Sequence, residues 1–308
     1  MKQSTRNDHD MKILNFGSLN YDLCYDVDHF TKAGETQSSL GFTRNFGGKG
    51  FNQSVAMARA GLSVFHAGAV GTDGDALKEY LKANNVDISL LKTDPETATG
   101  HAVIQVAGGD NCILLYGGAN QKIDGNYIDE VISHFGAGDL IILQNEISEL
   151  PLIMEKAHEK GMIIIFNAAP MNENVFRCPL QYVDLLIVNE IEARGLAETN
   201  AESIDTLCMV LSSRYPDTNI LLTTGAEGSR YIENGDITFV KSRKVNVVDT
   251  TGAGDTFTGY FIAAEMEGLD IRSALEKATA ASALSIQKSG AAVSIPSLAE
   301  VNSLLAEH

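Results

Sequence analysis

Short, almost uninterrupted apolar segments recur along the chain and alternate with stretches of helical periodicity. The clearest is Met162–Asn167, in which three isoleucines and a phenylalanine follow the methionine without a polar break. Strands of this composition are typical of parallel sheets that are covered on both faces. The pattern predicts an α/β fold with a doubly wound parallel sheet. The predicted strands are Lys12–Gly17, Ser63–Ala69, Asp139–Gln144, Met162–Asn167, Leu185–Asn189 and Ile220–Thr224.

Helical periodicity fills the intervals between these strands and most of the C-terminal part. The predicted helices are Phe51–Ala60, Gly74–Asn84, Tyr127–Phe135, Leu150–Lys160, Ile204–Tyr215, Ala253–Glu267, Ile271–Gln287 and Leu298–Glu307. Two stretches, Leu23–Thr43 and Thr99–Tyr116, instead alternate apolar and polar residues. The second predicts a hairpin that turns at Gly108–Asn111. We expect both to form a small β-sheet that projects as a lid; the alternative is edge strands of the main sheet.

Composition and charge narrow the classes of function. The formal net charge of −17 disfavours nucleic acid and anionic membranes as partners. No apolar run approaches the roughly 18 residues of a membrane-spanning helix. Residues 1–10 are polar and lack the apolar core of a signal peptide, which predicts a disordered leader. The four cysteines are widely scattered, as in reduced proteins of the cytoplasm.

A glycine-rich turn, Asp249–Asp255, carries the strongest chemical signal. It reads Asp-Thr-Thr-Gly-Ala-Gly-Asp, follows a strand-like run at Lys244–Val248 and precedes a helical run. Such a turn directs free backbone N–H groups and the positive end of a helix dipole at one point, which suits an anion. Its last residue, Asp255, is a carboxylate that a purely anion-holding loop would avoid. An anion cradle with a base at its edge indicates phosphoryl transfer to a hydroxyl.

Other polar groups follow predicted strand ends, where a doubly wound sheet has its ligand crevice. Asn20 and Asp22 follow the first strand, Glu146 follows another, and Asn189 and Glu192 follow a third. A second glycine-rich stretch, Asn45–Asn52, precedes a helix and contains a lysine and an amide side chain that could contact a ligand. The alternative interpretation is a tight turn that only caps the helix. The GxxxxGK[ST] and GxGxxG fingerprints are absent, which disfavours a Walker-type ATPase and a dinucleotide dehydrogenase.

These motifs together resemble the ribokinase branch of the PfkB carbohydrate kinases, over nearly the whole chain from Met11. The two family signatures, GGKGxNQ and DTxGAGD, match Gly47–Gln53 and Asp249–Asp255. The motifs NxxE, GSxNxD, GET and a late cation-loop motif match Asn189–Glu192, Gly17–Asp22, Gly34–Thr36 and Gly290–Ser294. The resemblance implies one ribokinase-like domain at 11–308 that phosphorylates a primary hydroxyl of a small sugar, ribose first, with ATP and Mg²⁺.

The resemblance also implies a role for each matched residue. Asp255 would be the base, with the anion hole formed by the backbone N–H groups of Gly252, Ala253 and Gly254. Sugar would be bound by Asn20, Asp22, Gly48, Lys49, Asn52 and Glu146, with Asp255 as the base beside it. ATP would contact Thr224, Gly225 and Gly228, and magnesium-bound water would contact Asn189 and Glu192. A monovalent cation, K⁺, would be held by Asp249, Thr251, Ser285, Lys288, Gly290 and Ser294.

Relatives of this branch pair through their lids, so the resemblance also implies a homodimer. The chain departs from the pattern at Phe51, at His101 and at Asn167–Pro170, where the first proline of Asn-Pro-Ala-Pro is absent. These departures leave two alternatives open. One is a kinase for a nucleoside or another furanose or keto sugar, for which Phe42, Ile104 and Tyr116 would contact the substrate. The other is a non-catalytic sugar-binding protein, which the intact Asp255 disfavours.

Overall fold

The computed structural model describes residues 11–201 and 203–307. The predicted leader, 1–10, lies outside the described residues. The strands are β1 (Ile13–Phe16), β2 (Asn20–Asp26), β3 (Gly41–Gly47), β4 (Val64–Gly71), β5 (Leu91–Asp94), β6 (Gly100–Ala107), β7 (Asp110–Tyr116), β8 (Leu140–Gln144), β9 (Ile163–Asn167), β10 (Leu185–Asn189), β11 (Asn219–Thr223), β12 (Ser229–Glu233) and β13 (Asp236–Val240).

The α-helices of the described chain begin and end close to the predicted positions, with α5 in addition. They are α1 (Lys49–Arg59), α2 (Asp75–Ala83), α3 (Gly125–Ser133), α4 (Leu150–Glu159), α5 (Glu190–Ala197), α6 (Ile204–Arg214), α7 (Ala253–Met266), α8 (Ile271–Ser285) and α9 (Leu298–Ala306). None of them is long and apolar enough to cross a membrane.

The large sheet has the strand order β13-β12-β11-β10-β9-β8-β1-β4-β5. Strands β11 to β5 in that order run parallel, and β12 and β13 are antiparallel to their neighbours. Apolar residues of α3 to α6 cover one face, and those of α1, α2, α7, α8 and α9 cover the other. The doubly wound prediction is therefore confirmed. The chain winds outward in both directions from β1 and β8, so a ligand crevice is expected at the carboxyl ends of these two strands.

The smaller sheet has the order β3-β2-β6-β7, which confirms a small sheet and excludes the alternative of edge strands on the main sheet. The β6–β7 hairpin turns at Gly108 and Gly109, whose φ angles of 60° and 84° suit a two-residue primed turn. The sheet starts at the site because β2 begins at Asn20, directly opposite Gly47 of β3 and Gly100 of β6.

Close packing of α7 on α1 brings the two glycine-rich motifs together. A Cβ on Gly259 of α7 would lie only 2.4 Å from the Ala56 Cβ of α1, so the two helices approach as closely as a glycine permits. Nearly every residue of α7 from Asp255 to Ala264 is buried. The helix that opens with the anion-binding turn is therefore fixed against the helix that carries Asn52.

Two elements differ from the sequence predictions. Lys244–Val248 is not a strand: its residues are mostly exposed, and no strand of the described residues pairs with it. Its last residue is joined to the end of α8, where the Val248 N–H donates to the Ile286 carbonyl at 2.8 Å. Alternating valines thus do not make a strand where no partner edge is available. The β12–β13 hairpin, conversely, turns at Asn234–Gly235, a strong hairpin signal that the predictions omit.

Candidate active site

The glycine-rich turn places an uncapped helix N-terminus in the crevice. Gly252 is the N-cap of α7 with φ 72°, a left-handed conformation, and no side chain caps the helix. The Ala253 N–H donates to the Thr250 carbonyl at 3.2 Å. The N–H groups of Gly252 and Gly254 have no acceptor in the part of the chain that the structure describes. Two of the three predicted anion-hole donors are therefore free, and the Ala253 N–H is already bonded.

Asp255, in the first turn of α7, is buried and held by two amides of α1. Asn52 Nδ2 donates to Asp255 Oδ2 and Gln53 Nε2 donates to Asp255 Oδ1, each at 2.9 Å. The carbonyl oxygen of Asn52 is buried and has no hydrogen-bond partner within the described residues. A buried acceptor without a donor is unfavourable, so this oxygen is suited to a hydroxyl group of a ligand.

Two further carboxylates face Asp255. Glu146 Oε2 accepts hydrogen bonds from the Lys49 backbone N–H at 2.9 Å and from the Ser18 hydroxyl, which fixes it beside the N-terminus of α1. Burial, followed by the charges of Glu146 and Asp255, raises the pKa of Asp22 to about 6. The site thus holds several acceptors within electrostatic reach of one another.

Lys49 supplies positive charge to this acidic cluster. Burial alone would lower the pKa of Lys49, but the carboxylates of Asp255 and Glu146 outweigh burial and raise that pKa above its ordinary value. The ammonium group is therefore charged at neutral pH. Gly48, just before it, has φ 91°, and a Cβ there would lie 3.0 Å from the Asn20 nitrogen and the Ser18 oxygen, so only glycine lets α1 start this close to β2.

Asn20, predicted to contact the sugar, is the first residue of β2. Its side chain is buried, and Asn120 Nδ2 donates to its Oδ1 at 2.8 Å. A Cβ on Gly100 would lie 2.2 Å from the same oxygen. The Asn20 carbonyl group therefore braces the junction of β2, β6 and the turn at Asn120.

Two cavities meet at the N-terminus of α7, and both are lined by Thr223 and Gly254. The first is mainly apolar, and its lining includes Gly225, Gly228, Ala253, Phe257, Ala283 and Ile286. The second is polar and contains Lys49, Asn189, Glu192, Gly252 and Asp255. Thr224, predicted to contact the nucleotide, is instead buried beneath the turn, where its hydroxyl donates to the Gly228 carbonyl at 3.0 Å. Thr223 is the threonine that faces the cavities.

Asn189 and Glu192 form a capping box at the start of α5. The Asn189 N–H donates to Glu192 Oε2 at 2.7 Å, and Asn189 Nδ2 donates to Glu192 Oε1 at 2.8 Å. Burial raises the pKa of Glu192, an effect that the hydrogen bonds from Asn189 and the charge of Lys49 oppose. Both side chains reach the polar cavity, so the cap also fixes a carboxylate and an amide at its wall.

Asp249 bridges two loops on the other side of the turn. Its Oδ1 accepts from the Thr251 N–H at 2.9 Å and the Thr251 hydroxyl at 2.6 Å, and its Oδ2 accepts from the Gly290 N–H at 2.9 Å. These hydrogen bonds lower the pKa of Asp249 against the effect of burial. Of the other residues predicted to bind a cation, the Ser285 carbonyl accepts from the Lys288 N–H, and the Ser294 hydroxyl donates to the Ala291 carbonyl.

The predicted lid contacts lie on two faces of the small sheet. Directly paired residues share a face, so Ile104, through Cys24, lies on the face of Asp22. His101 pairs with Tyr21 and Tyr116, on the opposite face. Phe42 pairs with Tyr25 on that opposite face too. The side chain of Phe51 on α1, another of the departures from the family pattern, is fully buried in the core.

Four residues of the site were not predicted as contacts: Ser18, which binds Glu146, and the buried amides Asn15, Gln53 and Gln144 behind Asp255. Gln53 is adjacent to Asn52 in the GGKGxNQ motif, so its sequence position was the available signal. Asn15 and Gln144 belong to no motif: Asn15 lies inside the apolar strand β1, and Gln144 is the last residue of β8.

Comparison with known proteins agrees with this geometry. The model of the pfkB family carbohydrate kinases matches residues 10–298. The chain is 36% identical over 295 residues to the ribokinase of Bacillus subtilis (strain 168), which covers 94% of this chain and 97% of that protein.

Two solved structures are similar over almost their whole length. The ribokinase of Cryptococcus neoformans var. grubii serotype A in complex with ADP has a TM-score of 0.84 at 32% identity, covering 96% of this chain and 100% of that one. Arabidopsis thaliana ribokinase complexed with ribose and ATP has a TM-score of 0.85 at 28% identity, covering 96% and 98%. The predicted resemblance and carbohydrate kinase activity are confirmed, and the chain belongs to the pfkB family of carbohydrate kinases.

Proposed function

We propose that this chain is a ribokinase, which transfers the γ-phosphoryl group of ATP to the primary hydroxyl of ribose. The observation that carries the proposal is the position of Asp255. Its carboxylate is anchored by two amides at an uncapped helix N-terminus, beside acceptors suited to a polyol. A base and an anion site at one point are what phosphoryl transfer to an alcohol requires.

Asp255 accepts the proton of the attacking hydroxyl. A carboxylate is a weak base, so it acts mainly as the hydroxyl becomes acidic in the transition state. Each oxygen of Asp255 accepts one hydrogen bond from an amide, which leaves further lone pairs for the substrate. The same two amides fix the carboxylate, so the base does not have to be oriented when the sugar binds.

Charge on the transferred phosphoryl group is stabilised by the free N–H groups of Gly252 and Gly254, by the α7 dipole and by Lys49. When bound, ATP supplies the phosphoryl group, and Mg²⁺ neutralises its phosphate charge. The apolar cavity fits the nucleobase, and the polar cavity leads from it to Asp255. Within the described chain no group of three His, Cys, Asp or Glu side chains could enclose a metal ion, so Asn189 and Glu192 hold magnesium-bound water.

Ribose is bound by Asp22, Glu146, Lys49 and the unpaired oxygen of Asn52, around the backbone of Gly48. Sugar hydroxyls are donors as well as acceptors, and they satisfy acceptors that the protein leaves free. A nucleoside is the second candidate, but two of the three side chains expected to contact its base, Phe42 and Tyr116, lie on the lid face opposite Asp22. Ribose therefore fits better.

A monovalent cation, K⁺, binds beside the turn at Asp249 and the neighbouring residues Thr251, Ser285, Lys288, Gly290 and Ser294. The support is that Asp249 is half-buried, its pKa is lowered, and it already joins the loops that would surround the ion. The cation braces the turn and does not touch the substrate.

Two copies of the chain form a homodimer through the small sheets. The support is the apolar exposure of β7, where Ile113 and Leu115 on the face of Asp22 are 56% and 50% exposed. The small sheet then acts as a lid that excludes water from the reaction. The four cysteines are free, which suits a reducing cytoplasm.

The proposal is tested with Asp255→Asn in an ATP-consumption assay over ribose, deoxyribose, fructose, pseudouridine and common nucleosides, with and without potassium. We expect the unmodified protein to prefer ribose. The variant should bind ribose but lose at least about a thousandfold in turnover. Near-normal turnover of the variant would exclude Asp255 as the base. Absence of activity on every sugar would favour a sugar-binding protein without catalysis.

A further inference from the structure

Behind Asp255, on the side away from the cavities, a chain of buried amides runs into the core. Gln53 Nε2 donates to Asp255 Oδ1 at 2.9 Å, and Gln53 Oε1 accepts from Gln144 Nε2 at 2.8 Å. Gln144 Nε2 also donates to Asn15 Oδ1 at 2.9 Å. Gln53, Gln144 and Asn15 are fully buried, on α1, β8 and β1 respectively.

The hydrogen bonds of Asn15, the amide farthest from Asp255, fix the orientation of the amide groups in this series. Asn15 Nδ2 donates to the Gly50 carbonyl at 2.7 Å and to the Ser54 hydroxyl at 2.8 Å. A carbonyl can only accept, so the amide group of Asn15 has one orientation, with its oxygen towards Gln144. The Ser54 hydroxyl lies 2.7 Å from His66 Nδ1, within hydrogen-bond distance of the ring. His66 stays neutral, because burial lowers its pKa to about 3 and a contact with the Gly17 backbone offsets only part of that effect.

The orientation of each amide follows from the one before it. Gln144 must direct its NH₂ group at the Asn15 oxygen, and its second N–H meets the oxygen of Gln53. Gln53 therefore has only its NH₂ group to present to Asp255. A proton on Asp255 Oδ1 would point at an N–H group, whereas the ionised oxygen accepts a hydrogen bond.

We propose that Gln53 is a positioning residue that holds Asp255 in its ionised, hydroxyl-accepting state, and that Gln144 and Asn15 impose the amide orientation on which this depends. The proposal rests on the assignment of Asp255 as the base. Gln53 and Gln144 do not line either cavity, so they act through Asp255 and not on the sugar or the nucleotide. Charged groups face Asp255 from other elements: Lys49 of α1, Asp22 of β2, Glu146 after β8 and Glu192 of α5.

The test is the pH dependence of kcat/KM for ribose in Gln53→Met and Gln144→Met. Methionine is close to glutamine in volume and unbranched, but it donates no hydrogen bond. Gln53→Met leaves Asp255 Oδ1 without its donor. The acid limb of the pH profile, in which kcat/KM falls as pH is lowered, should therefore move to higher pH by about one to two units. We expect kcat at the optimum to fall roughly tenfold as the base loses its orientation, with KM for ribose within about threefold.

Gln144→Met is the sharper variant because Gln144 does not touch Asp255. Without the donor from Gln144, the Gln53 amide can invert and place its oxygen against a protonated Asp255. The acid limb should again move to higher pH, by roughly half as much. The matched control is Asn145→Leu, which removes two hydrogen bonds of a buried amide next to Gln144, to the Pro170 carbonyl at 2.7 Å and to Asn172 at 3.1 Å. It should lower the melting temperature and leave the acid limb unchanged.

An unchanged acid limb in both folded methionine variants would overturn the proposal, as would an equal shift in Asn145→Leu. If a variant does not fold, nuclear magnetic resonance of the unmodified protein decides. The Gln53 side-chain amide protons should exchange slowly and change their chemical shifts as Asp255 titrates; rapid exchange would also overturn the proposal. Loss of turnover in Asp255→Asn with normal methionine variants refutes only the positioning role, whereas retained turnover in Asp255→Asn refutes the base itself.

Discussion

Asp22 should make the sugar-free protein less stable than it would be with a neutral residue at that position. Its carboxyl group has no hydrogen bond from the described residues, and burial together with Glu146 and Asp255 raises its pKa from 3.8 to about 6. A carboxyl whose pKa is higher in the folded than in the unfolded protein binds more protons when folded, so stability falls as pH rises between the two values.

The shift of about 2 pH units corresponds to about 3 kcal/mol of lost stability above pH 6, and to no loss below about pH 4. Asp22→Asn is nearly isosteric and cannot ionise, so it should recover most of this free energy. An unfolding entropy of about 2.1 cal/mol/K per residue converts 3 kcal/mol into about 4–5 °C for a chain of 308 residues.

The assay is thermal unfolding of Asp22→Asn and the unmodified protein from pH 4 to pH 8, without sugar. We expect the variant to melt about 4–5 °C higher at pH 8 and at the same temperature near pH 4, and to raise KM for ribose at least roughly tenfold. Asp26→Asn, on the same face of β2 but exposed, is the control and should change neither quantity. A difference in melting temperature that does not depend on pH would refute the reasoning, and so would a destabilised variant at pH 8.

Three further predictions concern the glycine-rich turn, the N-terminus of α9 and the cation site. Gly252→Ala should lose about 1–2 kcal/mol and at least tenfold in kcat, because alanine is strained at φ 72° and its Cβ would lie 3.1 Å from Ala291; thermal unfolding and steady-state kinetics measure both. Gly268→Ala, at φ 80° with open space around it, should lose similar stability and keep kcat, so equal kinetics of the two variants would contradict the assignment. Glu300→Gln should lower the melting temperature at pH 7 by an amount equivalent to about 1 kcal/mol, because hydrogen bonds from Ser297 lower the pKa of Glu300 to about 2 but the side chain is half exposed. This stability is present above pH 4.5 and is lost as pH falls through 2, so a difference as large at pH 2 as at pH 7 would contradict it. Asp249→Asn should abolish the increase in activity when potassium replaces a bulky organic cation, and an unchanged increase would exclude Asp249 from the cation site.

The sequence predicts the main sheet well because each central strand is apolar on both faces. The sequence does not predict the strands at the sheet edges, because they lack this continuous apolar pattern. β5 is a short strand with the polar sequence Leu-Lys-Thr-Asp, and the β12–β13 hairpin is identified by its Asn-Gly turn more than by its strands. Lys244–Val248 shows the opposite error: its β-branched residues predict a strand, but they have no strand to pair with among the residues that the structure describes.

The candidate site is predictable where it is local and unpredictable where it is not. The turn residues follow from the motif because the chemistry requires them in one segment. Side chains alternate along a strand, so Thr223 faces the cavities and Thr224 does not, and Ile104 lies on the lid face of Asp22 whereas His101 does not. A prediction that is wrong by one residue therefore places a side chain on the wrong face. The hydrogen bond between Gln53 and Asp255 joins residues 202 positions apart, and Gln144 reaches Asn15 over 129. The first contact depends on the packing of α7 on α1 and the second on the pairing of β1 with β8, and neither can be read from spacing.

The distribution of charge in the site explains why a neutral polyol suits it. Asp22, Glu146 and Asp255 repel one another in the free protein, as the raised pKa of Asp22 indicates. Hydroxyl groups donate hydrogen bonds to these carboxylates without adding charge, so bound ribose offsets part of the unfavourable repulsion between them. A sugar acid would add a further negative charge and increase that repulsion. Positive potential lies at Lys49 and at the N-terminus of α7, where the transferred phosphoryl group arrives. We therefore expect sugar acids to bind at least roughly tenfold more weakly than ribose at pH 8, and Asp22→Asn to narrow that difference.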